Sequence, residues 1–278
     1  MTICIAAACQ GGKTIVLAAD REIAFGFTSA EFPGGKFITL FHDWAVGFAG
    51  NVTNANDVIG AADNLSAPGS TAATRKLAKL SLSDARGIME KAYREARLKR
   101  AEGLHLANRG MTLQEFRKTG SQTLPPTTYA EIDARIANLD YGTDLIVSGF
   151  PEGEELGTVF TVTNPGITVE HTLLGFWCVG SGAAAAQMSI FNRLYSRLCS
   201  VEEATYYVYE AKRAAENAAG VGPTTDLYLL RKGRHPVRVG ENTMKKLGQI
   251  YQRLKVRDFK EAHESDLRQE PEFKSFLS

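Results

Sequence analysis

Two short segments open the chain in which apolar residues fill nearly every position, TICIAAAC (2–9) and TIVLAAD (14–20). The Gln10-Gly11-Gly12-Lys13 between them has hairpin length, so the pair predicts two adjacent antiparallel strands. KFITLF (36–41), a His42-Asp43 turn and WAVGFAG (44–50) predict a second hairpin. Alanine and glycine inside these strands leave room for another layer to come close, which predicts sheets covered on both faces.

After Gly50 the period changes. Asn51 to Asn64 reads as a helix, and Ala67-Pro68-Gly69-Ser70 as a break. A helical run follows from Ser83 to Glu102, with Ile88, Ala92, Glu95 and Lys99 at helical spacings and a Ser-Asp start. Residues 103–143 are less regular: a short helix near 112–118, a Leu124-Pro125-Pro126 turn, and a helix over Tyr129–Leu139. Strand patterns return at DLIVSGF (144–150), TVFTVT (158–163), ITVEH (167–171) and FWCVGSG (176–182). Two helices, Ala183–Leu198 and Val201–Ala218, come next, the second opened by the capping-box pattern Ser200-Val-Glu-Glu. TDLYLLRKG (225–233) and HPVRV (235–239) predict a last hairpin, and the charged tail 241–278 a helix. Runs of like elements argue for an α+β fold with sheets and segregated helices, not alternating βαβ units.

Composition narrows the function classes. The 278 residues carry 32 basic and 31 acidic side chains, a formal net charge of +1, so no global field draws the chain to nucleic acid. Four cysteines (Cys4, Cys9, Cys178, Cys199) are too few for a disulfide framework and lack zinc or redox spacing, which suits a reducing compartment. No window approaches a membrane span and no signal peptide is visible, so a cytoplasmic protein without a membrane partner is expected. The histidines are scattered and no metal motif, P-loop or dinucleotide fingerprint occurs, so neither metal nor cofactor is expected. Gly180-Ser181-Gly182 resembles half of a nucleophile elbow, but Val179 and Ala183 stand where the outer glycines belong.

The chemistry concentrates at the start. Threonine at position 2 is small enough for removal of the initiator methionine, which would leave Thr2 with a free α-amine. Hydroxyl nucleophile and base would then sit on one residue, the amine having a reference pKa of roughly 7.7–8.0. A nearby lysine would lower the pKa of both groups and stabilise the alkoxide, and would itself need a carboxylate.

With those residues in view, the chain resembles the proteasome-type N-terminal nucleophile hydrolases, the β-subunit family, as a divergent prokaryotic member. That pattern is a threonine opening the first strand, an aspartate ending the second, a lysine sixteen residues on and a glycine fourteen after that. Here these are Thr2, Asp20, Lys36 and Gly50. DLIVSGF resembles an inner strand of that family, FWCVGSGAAAA its G-S-G entry to a helix with Ser181 at the assisting serine, and EEATYYVYEAKRAAENAAGVGPTTDLYLL its last long helix and strand. The match covers roughly residues 2–60 and 144–239.

The resemblance implies Thr2 as nucleophile and base, Lys36 as the group that tunes it, Asp20 as the holder of Lys36, the Gly50 N–H as oxyanion donor and Ser181 as helper to the amine. It implies a four-layer αββα sandwich in one domain over 1–239, with an insertion at about 66–128 as lid or surface elaboration, and a helical extension over 240–278. The implied activity is a threonine peptidase or amidohydrolase cleaving peptide or amide bonds. The alternatives are a catalytically silent ring or scaffold subunit, or a transpeptidase or ligase. A homo-oligomeric ring and, by analogy alone, an ATPase partner come with it. Val52 and Phe48 are candidates for the specificity pocket. Two positions depart from the pattern: Glu22 replaces an arginine, and the aspartate and serine after the long helix fall on Ala218 or Asn217 and on Val221. A relay either weakened or rebuilt through Asn217 or Thr224 is the expectation there.

Overall fold

The computed structural model describes residues 2–25, 28–31, 34–66 and 79–260. The predicted break at 67–70 lies outside them, as do Met1 and the tail beyond 260. The chain divides into two compact units, Met1–Val237 and Arg238–Ser278. The second contains one described helix, Glu241–Lys260.

The first unit opens with β1 (Cys4–Cys9) and β2 (Thr14–Asp20), then β3 (Glu22–Phe25), β4 (Thr28–Glu31), β5 (Phe37–Phe41) and β6 (Trp44–Gly50). Four helices follow: α1 (Val52–Ser66), α2 (Leu82–His105), α3 (Leu113–Thr123) and α4 (Pro126–Ala137). Strands β7 (Thr143–Gly149), β8 (Thr158–Thr163), β9 (Ile167–Glu170) and β10 (Phe176–Val179) precede α5 (Ala183–Asn192), α6 (Val201–Ala215) and β11 (Thr225–Leu230). The fold is mixed α+β, and every pairing described between these strands is antiparallel.

One sheet runs β10-β1-β2-β11, and a second β5-β6-β7-β8-β9. Alternation decides what each face meets. Cys4, Ala6, Ala8, Ile15, Leu17 and Ala19 from the first sheet join Ala45, Ala49, Ile146 and Val159 from the second in one apolar cluster. The small side chains permit this approach, and a Cβ on Gly47 would stand 2.6 Å from the Phe37 ring and 3.0 Å from Ile146. The alternate residues Ile5, Ala7, Val16 and Ala18 are equally buried, and α6 packs on β1 and β2. On the second sheet, Trp44, Val46, Phe48, Leu145 and Val147 pack with Val58, Ala85, Met89 and Tyr93 of α1 and α2. Each large side chain buried this way contributes roughly 1.5–3 kcal/mol.

Several elements differ from the reading of the sequence. The β3–β4 hairpin was not expected there, because four-residue strands leave too short an alternation to see. The cap of α2 is Ser81, whose hydroxyl accepts from Asp84 N. Its buried face is Ala85, Met89, Ala92 and Ala96, while Glu95 and Lys99 are exposed. The Pro125-Pro126 turn starts α4, because proline fits the first helical turn. The helix expected to reach Leu198 ends at Asn192, where Leu194 takes a left-handed φ of 51°. The segment 79–128 contributes α2 to the main core, and Ala101, Phe116 and Ile132 form a satellite cluster around α3 and α4. No helix among the described residues is long and apolar enough to cross a membrane.

His171, just after β9, stacks on Trp177 at 3.9 Å and is hydrogen-bonded through Nε2 to Thr161 Oγ1 at 3.0 Å. It is buried, and burial pushes its pKa down to about 4, against a small opposing pull from Glu170. Below the unfolded value of 6.5 the unfolded chain takes up a proton that the folded one refuses. Stability is therefore full above about pH 6.5 and falls as the pH drops towards 4, by on the order of 2–3 kcal/mol. Denaturant melts between pH 4.5 and 7.5 should show this slope, and His171→Gln should flatten it. An unchanged slope in that variant would assign it to other groups.

Candidate active site

The β1–β2 register sets Cys4 opposite Ala19, so the start of the first strand meets the end of the second. Ile3 N donates to Asp20 Oδ1 at 2.9 Å, and Asp20 N donates to Ile3 O at 3.3 Å. Thr2 thus lies against the Asp20 carboxylate, and its Oγ1 donates to Oδ1. Lys36, just before β5, completes the triangle: its Nζ donates to Thr2 Oγ1, to Asp20 Oδ1 at 2.8 Å and to Glu22 O at 2.5 Å.

All three side chains are buried: Thr2 is 3% exposed, Lys36 2% and Asp20 0%. A buried ion pair is tolerated only when hydrogen bonds satisfy its remaining lone pairs and protons. The three N–H bonds of the ammonium are all used. The carboxylate accepts from Thr2, Ile3 and Lys36 on Oδ1, and from Glu22 N at 3.0 Å and Gly222 N at 3.2 Å on Oδ2.

Ser181 approaches the main chain of Thr2. Its Oγ accepts from Thr2 N at 3.3 Å and lies 3.2 Å from Ala219 O, to which it donates. The flanking glycines have a steric reason. At φ +110°, a Cβ on Gly180 would run into Thr2 O and come within 3.3 Å of Ala49 Cβ. Gly182 N donates to Thr2 O at 3.4 Å. Gly50, at φ +94°, is pressed so closely on Gly142 O that a side chain there would collide. It lines a cleft of about 10 Å³ with Thr2, Glu22, Ile23, Lys36, Phe48 and Val52, space for one water molecule. A larger cavity of about 690 Å³ lies between α1 and α2 and contains none of these groups.

The structure brings Thr2, Asp20 and Lys36 into direct contact, places Ser181 on the Thr2 main chain and lines the Thr2 cleft with Gly50. The relay residues proposed from the sequence do not join them. Asn217 is exposed and donates to Ala214 O at 3.1 Å, while Thr224 donates to Glu31. Val221 packs against Gly182. Arg21 turns away to a bidentate pair with Asp226, two bonds of 2.7 Å. What the sequence reading missed is a main-chain donor, Gly222 N, and behind it the fully buried Lys212. Gly-Pro at 222–223 is a dipeptide of turns, and nothing in it indicates which carboxylate its amide meets. Among the described residues no group of three or more His, Cys, Asp and Glu gathers in a way that could hold a metal ion.

Cys4 lies beside this centre, its Sγ donating to Phe48 O at 3.2 Å. Burial pushes its thiol up to about 12, although Lys36 pulls the other way. Cys9 is likewise pushed up to about 12 by burial, and Cys178 is raised by the same cause. The thiolate is the reactive form, so burial keeps all three in the unreactive one. Iodoacetamide at pH 8 should modify the native protein at Cys199 alone, as read by peptide mass mapping, and all four thiols in urea. Native labelling of Cys4 would contradict its burial.

No known family profile matches the chain, and neither does any curated protein. Solved structures do. An Anbu (Gly-1) mutant from Hyphomicrobium sp. strain MC1 is 16% identical over 91% of this chain and 96% of its own, with a TM-score of 0.63. Anbu (ancestral beta-subunit) from Yersinia bercovieri is 16% identical over 97% and 98%, with a TM-score of 0.64. A helical assembly of the Anbu complex from Pseudomonas aeruginosa is 17% identical over 92% and 93%, with a TM-score of 0.63. The family resemblance drawn from the motifs is corrected by these findings. At 16–17% identity the likeness is one of fold, and without a family match the chain is not assigned to the proteasome β-subunit family.

Proposed function

We propose that the chain is an amide- or peptide-bond hydrolase that works through an acyl-enzyme on Thr2. The observation that supports it most is the Thr2 hydroxyl held between the Lys36 ammonium and the Asp20 carboxylate in a buried setting. Loss of the methionine before Thr2 turns its nitrogen into an α-amine, which takes the Oγ1 proton as Oγ1 attacks the carbonyl carbon. Lys36 stabilises the developing alkoxide, and the Gly50 N–H receives the oxyanion. Collapse breaks the C–N bond, and the proton passes from the α-ammonium to the departing amine. Water then attacks the Thr2 ester and releases the acid, restoring the hydroxyl. Asp20 holds Lys36 in place, and Ser181 orients the amine. An oxyanion donor of this kind is worth about 3–4 kcal/mol.

The layering that goes with this reading is helix–sheet–sheet–helix, supported by α6 on β1 and β2, by α1 on β6 and β7, and by the apolar cluster between the sheets. Assembly of several copies belongs to the same reading. The structure from Pseudomonas aeruginosa is titled a helical assembly, and the same kind of self-association is proposed here.

Intact mass of protein from its own host, before and after a peptide epoxyketone, tests the chemistry. The expected result is loss of the Met1 mass, then one adduct that Thr2→Ala abolishes. Lys36→Ala should slow the adduct by at least about 100-fold. The rate should also fall with pH below the amine range, roughly 7.7–8.0, because a protonated amine cannot accept the hydroxyl proton. Retained Met1 with no adduct overturns the reading and leaves a catalytically silent subunit.

A further inference from the structure

The loop between α6 and β11 reaches the site with main-chain groups alone. Gly222 N donates to Asp20 Oδ2 at 3.2 Å, and Ala219 O accepts from Ser181 Oγ at 3.2 Å. A flexible loop would not hold an amide on a buried carboxylate, so something must fix it from behind. That group is Lys212, on the last turn of α6 and 0% exposed. Its Nζ donates to Gly222 O at 2.7 Å, to Pro223 O at 2.9 Å and to Glu216 Oε1 at 2.5 Å. All three of its protons are used: one holds Gly222, the residue whose own N–H touches Asp20, a second holds the next residue, Pro223, and the third is on Glu216.

Resting on the reading of Thr2 as nucleophile, we propose that Lys212 is a positioning residue for it. Lys212 fixes the 222–223 main chain, Gly222 N–H occupies Asp20 Oδ2, and Oδ1 stays committed to Lys36 and Thr2. The chain of contacts is continuous: Lys212, Gly222, Asp20, Lys36, Thr2. The charged groups around this corner are Lys36 before β5, Asp20 at the end of β2, Glu22 at the start of β3, whose side chain lies against Gly222, and Lys212, Arg213 and Glu216 on and just after α6. Arg21 and Asp226 are joined to each other beside it. Glu216 compensates the buried ammonium and is itself bound by Arg213 at 3.0 Å. A surface lysine at this place would do none of this. Burial, which disfavours the charged form of Lys212, is tolerated because Glu216 and the two carbonyls replace its water.

Lys212→Met keeps the length of the side chain and removes the donors; Lys212→Gln keeps two donors. Residue-resolved amide exchange by NMR and inactivation kinetics with a peptide epoxyketone are measured on wild type and both variants. In Lys212→Met the Gly222 amide should exchange at least 10-fold faster while the amides of Ile15–Leu17 keep their protection. The limiting inactivation rate should fall at least 10-fold with the concentration for half-maximal rate unchanged, and Lys212→Gln should recover part of both. Unchanged Gly222 exchange overturns the proposal, and so does faster exchange with an unchanged limiting rate, which would leave Lys212 a support for the loop alone. If Lys212→Met does not fold, Lys212→Gln is read against the same two criteria. If wild type forms no adduct at all, it is the nucleophile reading that fails. Gly222 exchange then decides by itself whether Lys212 governs the Asp20 contact.

Discussion

A carboxylate and an ammonium taken out of water, 2.8 Å apart at 0% and 2% exposure, are the constraint around which the first unit is arranged. Isolated, either charge would be too costly to bury, and even paired they leave lone pairs and protons that need partners. Those partners come from three separate stretches: Thr2 and Ile3 just before β1, Glu22 after β2 and Gly222 before β11. Docking of these segments and completion of the site are one event. A substitution at any of these contacts consequently acts on stability and geometry together.

Close approach is the second condition, and it is met by absence of side chains. Gly180 lets the chain after β10 pass over the Thr2 carbonyl, Gly182 lets it lie against Ala215 and Val221, and Gly50 lets β6 turn beside Gly142. Ala45, Gly47 and Ala49 on β6 face the first sheet with little bulk, so the two sheets meet where the ion pair is held.

How far this was legible in the sequence follows from which groups carry a signal. The long strands β1, β2, β6, β7 and β8 stand out because dense apolar runs have few other uses, and Thr2, Asp20, Lys36 and Gly50 stand out by side chain and spacing. The β3–β4 hairpin is too short to alternate visibly. The end of α5 depends on one left-handed residue, Leu194, which composition does not announce. Gly222 acts through its main chain, and every residue but proline has that N–H. Lys212 lies in the charged pattern AKRAAE, where a lysine reads as a solvated face until α6 is packed on β1 and β2.

The loop after α6 also bears on how the reaction would respond to pH. Asparagine, alanine and valine stand there, and what reaches Asp20 and Ser181 is an amide and a carbonyl. Main-chain groups do not titrate, so this loop supplies geometry and no proton. In the proposed reaction, proton transfer at the Thr2 hydroxyl would then be left to the groups that touch it or share its residue: Lys36, Asp20 and the α-amine that loss of Met1 would free. With Cys4 held as a thiol by burial, no second nucleophile competes at this corner. On the proposed reading, choice of acyl group would fall to the walls of the small cleft, Ile23, Phe48 and Val52 with Glu22 beside them. At about 10 Å³ those walls would have to part before a side chain could enter.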